Sequence, residues 1–205
     1  MNEKFFALSS DKQRRILNAG FRVFAHHGYR HASTEMIAKE AGISKGLLFH
    51  YFGSKKAFYL YLFEYGMNFM VERLRELQDY CETDLFKICI DAQMRKLDIA
   101  VTHPDLTQFV LQGYLEEDAE IAPELSENFN QHLNQSTTDI LNRIDQSKFK
   151  ESITPEQAWN IVLWMSEGYT KALTSEELED LEAASARYLE YIEILRKQFY
   201  REEYL

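Results

Sequence analysis

Proline and glycine are scarce: three Pro and eight Gly interrupt 205 residues. Both residues break regular elements and shape turns, so this scarcity argues against a loop-rich or β-rich fold. Long Leu/Ala/Glu/Lys/Gln stretches without breakers predict an all-α chain instead. Cysteine is scarcer still. Cys81 and Cys89 form no CxxC pair, which fits a reducing cytosol and two small apolar side chains. No run of 18 apolar residues is present, so no membrane span is expected. The opening MNEKFFALSSDKQ lacks the apolar stretch and small-residue site of a secretory signal, and a cytoplasmic location is the expectation. His26, His27, His31, His103 and His132 join no grouping with metal-site spacing. There is no nucleophile–base pair, no Glu-x-x-His motif and no glycine-rich phosphate loop. The expectation is therefore a non-enzyme without metal or cofactor.

What is present is a charge asymmetry. The net charge is −10, which by itself disfavours nucleic acid. Residues 1–56, however, hold ten Lys/Arg against four acidic residues, and all of the acidic excess lies beyond them. A basic head on an acidic body suits a small nucleic-acid-binding module joined to a separate regulatory part.

Hydrophobic periodicity and capping signals predict about nine helices. The first covers 11–27, with Ile16, Leu17, Gly20, Phe21, Val23 and Phe24 on one side and Gly28 as a left-handed stop. Ser33 caps a short helix from Thr34 to Ala41, and Ser44 caps a second from Lys45 to Tyr51 or Phe52. Between them, Ala41-Gly42-Ile43-Ser44 has the form of a helix-turn-helix turn. Gly42 supplies the positive φ, and Ile43 plugs the angle. A long aromatic-rich helix follows from Ser54 to about Tyr80. Asp84 caps the next, Pro104 and Pro123 each open another, and the acidic stretch 116–120 is a solvated loop. Thr154-Pro155-Glu156-Gln157 and Thr174-Ser175-Glu176-Glu177 are capping boxes for the last two helices, ending near Leu173 and Tyr200.

From Gly28 to Phe63 the residues read GYRHASTEMIAKEAGISKGLLFHYFGSKKAFYLYLF. The ordered set Phe24, Gly28-Tyr29, Ser33-Thr34, Ile37-Ala38, Ala41 to Gly46, Leu48, His50-Tyr51-Phe52 and Ser54-Lys55 resembles the DNA-binding head of the TetR (tetracycline repressor) family. That resemblance implies a three-helix head over residues 1–56 and a ligand-sensing, dimerising helical body over 57–205. It implies further that Thr34, Tyr51 and Lys55 contact phosphates, while Ser44, Lys45, Gly46 and His50 face the major groove. Leu48 and Phe52 point inward, leaving Lys45, Phe49, His50 and Tyr51 on the DNA side. Phe49 stands where the family commonly has Tyr, exchanging a phosphate-bonding hydroxyl for apolar contact with a thymine methyl. Met36 and Ala57 stand where an acid often completes a capping box.

In the body, Phe63, Met67, Met70, Phe86, Met94, Phe109, Tyr114, Trp159 and Met165 are candidate lining for a largely apolar ligand pocket. Each of them suits ordinary core better than ligand contact. Leu163, Ser166, Leu181, Ala184, Tyr188, Ile192 and Leu195 recur at helical spacing on the last two helices. By resemblance they pair with a second subunit in a four-helix bundle. The function implied by the resemblance is a transcriptional regulator of the repressor kind, released from a palindromic double-stranded operator by a small, largely apolar effector. The alternative is an architectural or protein-partner-regulated DNA-binding factor. No membrane partner is expected.

Overall fold

The computed structural model describes residues 3–76 and 78–205, except for the side chains of residues 175 and 179. The described residues form eleven α-helices, nine of them seven residues or longer, and no strand occurs among them. They are α1 (Glu3–Phe6), α2 (Ser10–His31), α3 (Thr34–Ala41), α4 (Lys45–Phe52), α5 (Lys55–Glu76), α6 (Leu85–Thr102), α7 (Pro104–Tyr114), α8 (Ala122–Leu141), α9 (Pro155–Ala172), α10 (Ser175–Glu179) and α11 (Leu181–Phe199). The all-α expectation and the count of long helices hold.

Four local details differ from the expectation. The four-residue helix α1 carries no strong sequence signal. Its Phe5 is fully buried, which is what holds it in place. Gly28 adopts φ 67° and ψ 174°, yet helical hydrogen bonding resumes for one turn to His31. The eighth helix stops at Leu141 rather than near Gln146, and a short 3-10 turn occupies Gln146–Lys148. The final helix is divided, because Asp180 accepts a hydrogen bond from Ala183 N at 3.0 Å and starts a new helix there. An Asp at that point satisfies a free helix N–H better than it continues a helix.

Packing groups the chain into two units, residues 3–71 with 102–131 and residues 72–101 with 132–205. The expected division at 56/57 is therefore not where packing divides the molecule. In the first unit, α7 lies against α2. Its Phe109 is fully buried, with ring centroids 5.4 Å from Phe21, 6.0 Å from Phe24 and 4.8 Å from Tyr59. Glycines permit this closeness. A Cβ on Gly20 would lie 2.5 Å from Leu62, and one on Gly113 would lie 2.6 Å from the Phe63 ring. Polar links border the apolar contact. Arg22 donates to Asp105 (3.2 Å) and Glu40 (2.9 Å), Gln112 donates to the Ala25 carbonyl (2.8 Å), and Arg30 pairs with Asp118 at 2.7 Å.

The second unit has its own core of Leu85, Phe86, Cys89, Ile144, Phe149, Ala158, Trp159, Val162, Ile192 and Tyr200. A buried polar knot closes it. The Tyr200 hydroxyl accepts from Leu85 N (3.0 Å) and donates to Asp84 (3.2 Å), which also pairs with Lys148 (3.0 Å) and caps α6 through Lys87 N. Burial works to raise the Asp84 carboxyl, but these donors outweigh it and hold the group below its ordinary value. Desolvation pushes the buried Cys89 thiol up to about 12, so it packs as a small apolar group.

Candidate nucleic-acid interface

The helix-turn-helix is set by four local devices. Ser33 accepts from Met36 N at 3.2 Å to open α3. Gly42, at φ 64°, closes it with a left-handed turn, and Ile43 N returns to the Ala38 carbonyl at 3.0 Å. Ser44 accepts from Leu47 N at 3.2 Å to open α4. Ser54 accepts from Ala57 N at 3.0 Å to open α5. Thus Met36 and Ala57 cost the helices only the return half of a capping box, since the serine half is intact.

Helix α4 has two faces. Leu48 and Phe52 are buried, as expected, and so is Tyr51. The position of Tyr51 corrects the expectation that it stands on the outward face. The unanticipated α1 places the Phe5 ring 6.1 Å from Tyr51 and 4.9 Å from Phe52, so Leu48, Tyr51 and Phe52 all anchor the helix inward. Outward, Ser44, Lys45, Gly46, Phe49 and His50 are exposed, together with Leu47, which the sequence reading passed over. A Cβ on Gly46 would meet only the Ser44 hydroxyl, at 3.9 Å, so the backbone there is open to approach.

The cations of the face are engaged. Lys45 Nζ lies 2.6 Å from Glu35 Oε1, and this contact holds the Glu35 carboxyl below its usual range. Both side chains are well exposed, so the pair is weak and exchangeable. Lys55 Nζ donates to the carbonyls of Tyr29 (2.8 Å) and Ala32 (3.3 Å) and sits 4.4 Å above the Tyr29 ring. There it satisfies carbonyls left by the irregular end of α2. The Tyr29 ring is buried, and desolvation followed by its hydrogen bond to Glu120 raises its hydroxyl to about 12. Thr34 is half-buried at the start of α3.

The sequence model described as "Bacterial regulatory proteins, tetR family" matches residues 16–62, the stretch that builds this face. Over these residues the chain is similar to the TetR-family DNA-binding head. Among curated relatives, the chain is 31% identical over 70 residues to the uncharacterized HTH-type transcriptional regulator YerO of Bacillus subtilis (strain 168), covering 34% of this chain and 24% of YerO. It is 34% identical over 65 residues to the fatty acid metabolism regulator protein of the same organism, covering 32% of this chain and 34% of that protein. The chain thus spans about a quarter to a third of the length of these relatives. The fold likeness extends further. A TetR family transcriptional regulator from Chloroflexus aurantiacus superposes with a TM-score of 0.70 at 22% identity, over 98% of this chain and 99% of that one. FadR from Bacillus subtilis, solved in complex with stearoyl-CoA, gives 0.66 at 19% identity, over 87% and 96%.

The candidate pocket residues are divided between the two units. Phe63, Met67 and Phe109 are buried in the first core, with Met70 beside them, and Tyr114 lies 4.6 Å from Phe129. Phe86 and Trp159 are buried in the second core, and Met165 packs against it. The Trp159 indole donates to Thr137 at 3.1 Å. Met94 is half exposed. Of two prominent cavities, one of about 350 Å³ includes only Phe63 from this set, and one of about 400 Å³ on α9 includes none.

The stripe expected to pair with a second subunit is used within the chain. Ala184 and Ile192 are buried, and Leu163, Tyr188 and Leu195 pack on the second core. Ser166 hydrogen-bonds Tyr188 at 2.9 Å. Leu181 is half-buried. The reason is that α9 and α11 each carry two apolar sides, and the better-spaced one closes the helices on each other. Trp164, Tyr191 and Ile194 remain exposed on the same two helices. Among the described residues no helix is long and apolar enough to cross a membrane, and no three His, Cys, Asp or Glu side chains gather as a metal site.

Proposed function

We propose that the chain is a sequence-specific, DNA-binding transcription regulator whose helix α4 enters the major groove of a palindromic operator. The observation that carries this reading is the division of α4: Leu48, Tyr51 and Phe52 anchor it, while Ser44, Lys45, Gly46, Leu47, Phe49 and His50 stand exposed. The major groove admits one α-helix, and a free helix N-terminus favours a nearby phosphate. Lys45 exchanges its weak pair with Glu35 for DNA. His50 reads a base edge, and Leu47 and Phe49 provide apolar contact for thymine methyls. Thr34 and the remaining N–H of Lys55 contribute phosphate contacts, and Tyr51 supports the helix from behind.

The protein acts as a homodimer, since two recognition helices must be spaced by about one helical turn, or a multiple, to read a palindrome. Trp164, Tyr191 and Ile194 form the centre of the pairing face, replacing the stripe read from the sequence. A small, largely apolar effector favours a conformation with the wrong half-site spacing and releases the operator. Such coupling is typically about 1–3 kcal/mol.

A second reading, a DNA-binding factor governed by a protein partner and not by a small molecule, is supported by the burial of most candidate pocket residues as core. An effector screen that never weakens operator binding would favour it. The test of the primary reading is fluorescence-anisotropy titration with the DNA upstream of the protein's own gene against scrambled DNA of equal length, at one fixed salt concentration. Preferential binding of two chains per site is expected. Equal binding to both DNAs, repeated with fragments from the rest of the genome, would contradict sequence-specific recognition.

A further inference from the structure

A cleft of about 350 Å³ opens in the first unit where the start of α5 faces the start of α8. Phe52, the last residue of α4, forms part of its wall, with Ala57, Leu60, Tyr61 and Leu125. Its polar residues are acidic or acceptor-bearing. Glu124 is paired with Lys56 at 2.8 Å across the two helices, whereas Glu64 has no cation partner among the described residues. Asn128 also lines the cleft, and its side-chain carbonyl oxygen is buried and accepts no hydrogen bond there.

A buried acceptor without a donor costs free energy comparable to a lost hydrogen bond, so it marks a position that a donor would stabilise. The volume falls within the range of small-molecule sites, about 300–1,000 Å³, and the mixture of aromatic wall and few polar groups is their usual composition. Negative charge from Glu64 reaches the neighbouring Tyr61, whose hydroxyl is raised by burial first and then by the charges of Tyr65 and Glu64.

We infer that this cleft binds a small aromatic or aliphatic ammonium compound, its N–H groups donating to Asn128 and its charge facing Glu64, with the apolar body against Phe52 and Tyr61. The site shares only Phe63 with the pocket read from the sequence, and its occupancy does not depend on DNA. A ligand here touches both the base of α4 and the α5–α8 contact.

The test uses the full-length protein and phenethylammonium as probe, followed by amide NMR chemical shifts. Saturable shifts are expected at Ala57, Tyr61, Glu64 and Asn128, and larger shifts for the ammonium than for its neutral counterpart, phenethyl alcohol. Ala57 is exposed, so Ala57→Trp fills the mouth without disturbing core and should abolish the shifts. Asn128→Leu should weaken binding roughly tenfold, as expected for loss of a hydrogen bond to a charged group. Absence of saturable shifts at these residues, or shifts that persist unchanged in Ala57→Trp, would overturn the inference.

Discussion

The two packing units solve the same problem, holding helices together, by opposite means. The first relies on interlocked aromatic rings (Phe5, Phe21, Phe24, Phe52, Phe58, Tyr59, Phe109) and on glycines that bring helices into contact, with its ion pairs left at the surface. The second is tied by a buried polar knot at Asp84, Lys148 and Tyr200. The difference teaches that the first unit is held chiefly by apolar packing, while the second contains a buried carboxylate fastening that titrates in acid.

The largest effect should come from Phe109→Ala. Truncating a fully buried Phe costs about 3–5 kcal/mol, and chemical denaturation should show this in the unit bearing the head although Phe109 lies on α7. A loss below about 1 kcal/mol would dissolve the grouping of α7 with the head. Next is Tyr200→Phe, which leaves the buried Leu85 N without its acceptor and removes one of the donors to Asp84, and should cost about 1–3 kcal/mol.

The polar knot also gives a pH dependence of defined sign. The folded Asp84 carboxyl titrates below its unfolded value of about 3.9. Its contribution is therefore present above that value and is lost as pH falls through the lower, folded one. Asp84→Asn should accordingly lower Tm at neutral pH and differ less and less from wild type as pH drops below about 4. A constant difference across that window would show that charge is not what Asp84 contributes.

Smaller effects probe the head. Gly42→Ala places a Cβ at φ 64° and should cost about 1 kcal/mol in thermal or chemical unfolding, with no steric clash to add to it. Lys55→Ala removes two donors from the end of α2. It should cost about 1 kcal/mol of stability, and if the third N–H meets a phosphate it should also reduce the salt slope of DNA binding by about 1. A stability loss with an unchanged slope would make Lys55 purely a clamp. Glu35→Gln should leave stability near wild type but tighten DNA binding and steepen its salt dependence, because it releases Lys45 and removes a charge of the wrong sign.

What could be read from the sequence follows the same division between local and distant causes. Ser33, Gly42, Ser44 and the Thr154 capping box act within four residues of themselves, and each does in the fold what its chemistry predicts. Tyr51 could not be placed this way. Its neighbours on α4 leave its direction open, and it is buried by Phe5, 46 positions earlier in the chain. Lys55 likewise reads as an exposed cation until α2 is seen to end in carbonyls beside it. The α9 and α11 stripe was visible as apolar, but periodicity does not say whether an apolar side meets its own chain or another. The broken last helix shows the same limit on a small scale, because a capping Asp inside a helical pattern is a boundary only if the chain turns there.

The most direct test of the account is selection of duplexes from a random pool by the full-length protein and by its His50→Ala variant at the same salt concentration. The account predicts an inverted-repeat sequence for the wild type, with preference at one position of each half-site relaxed in the variant. A base contact of this kind corresponds to about 1–3 kcal/mol of discrimination. If the variant selects the same sequence with uniformly lower affinity, or the wild type selects no sequence at all, the outward face of α4 is not the reader of an operator.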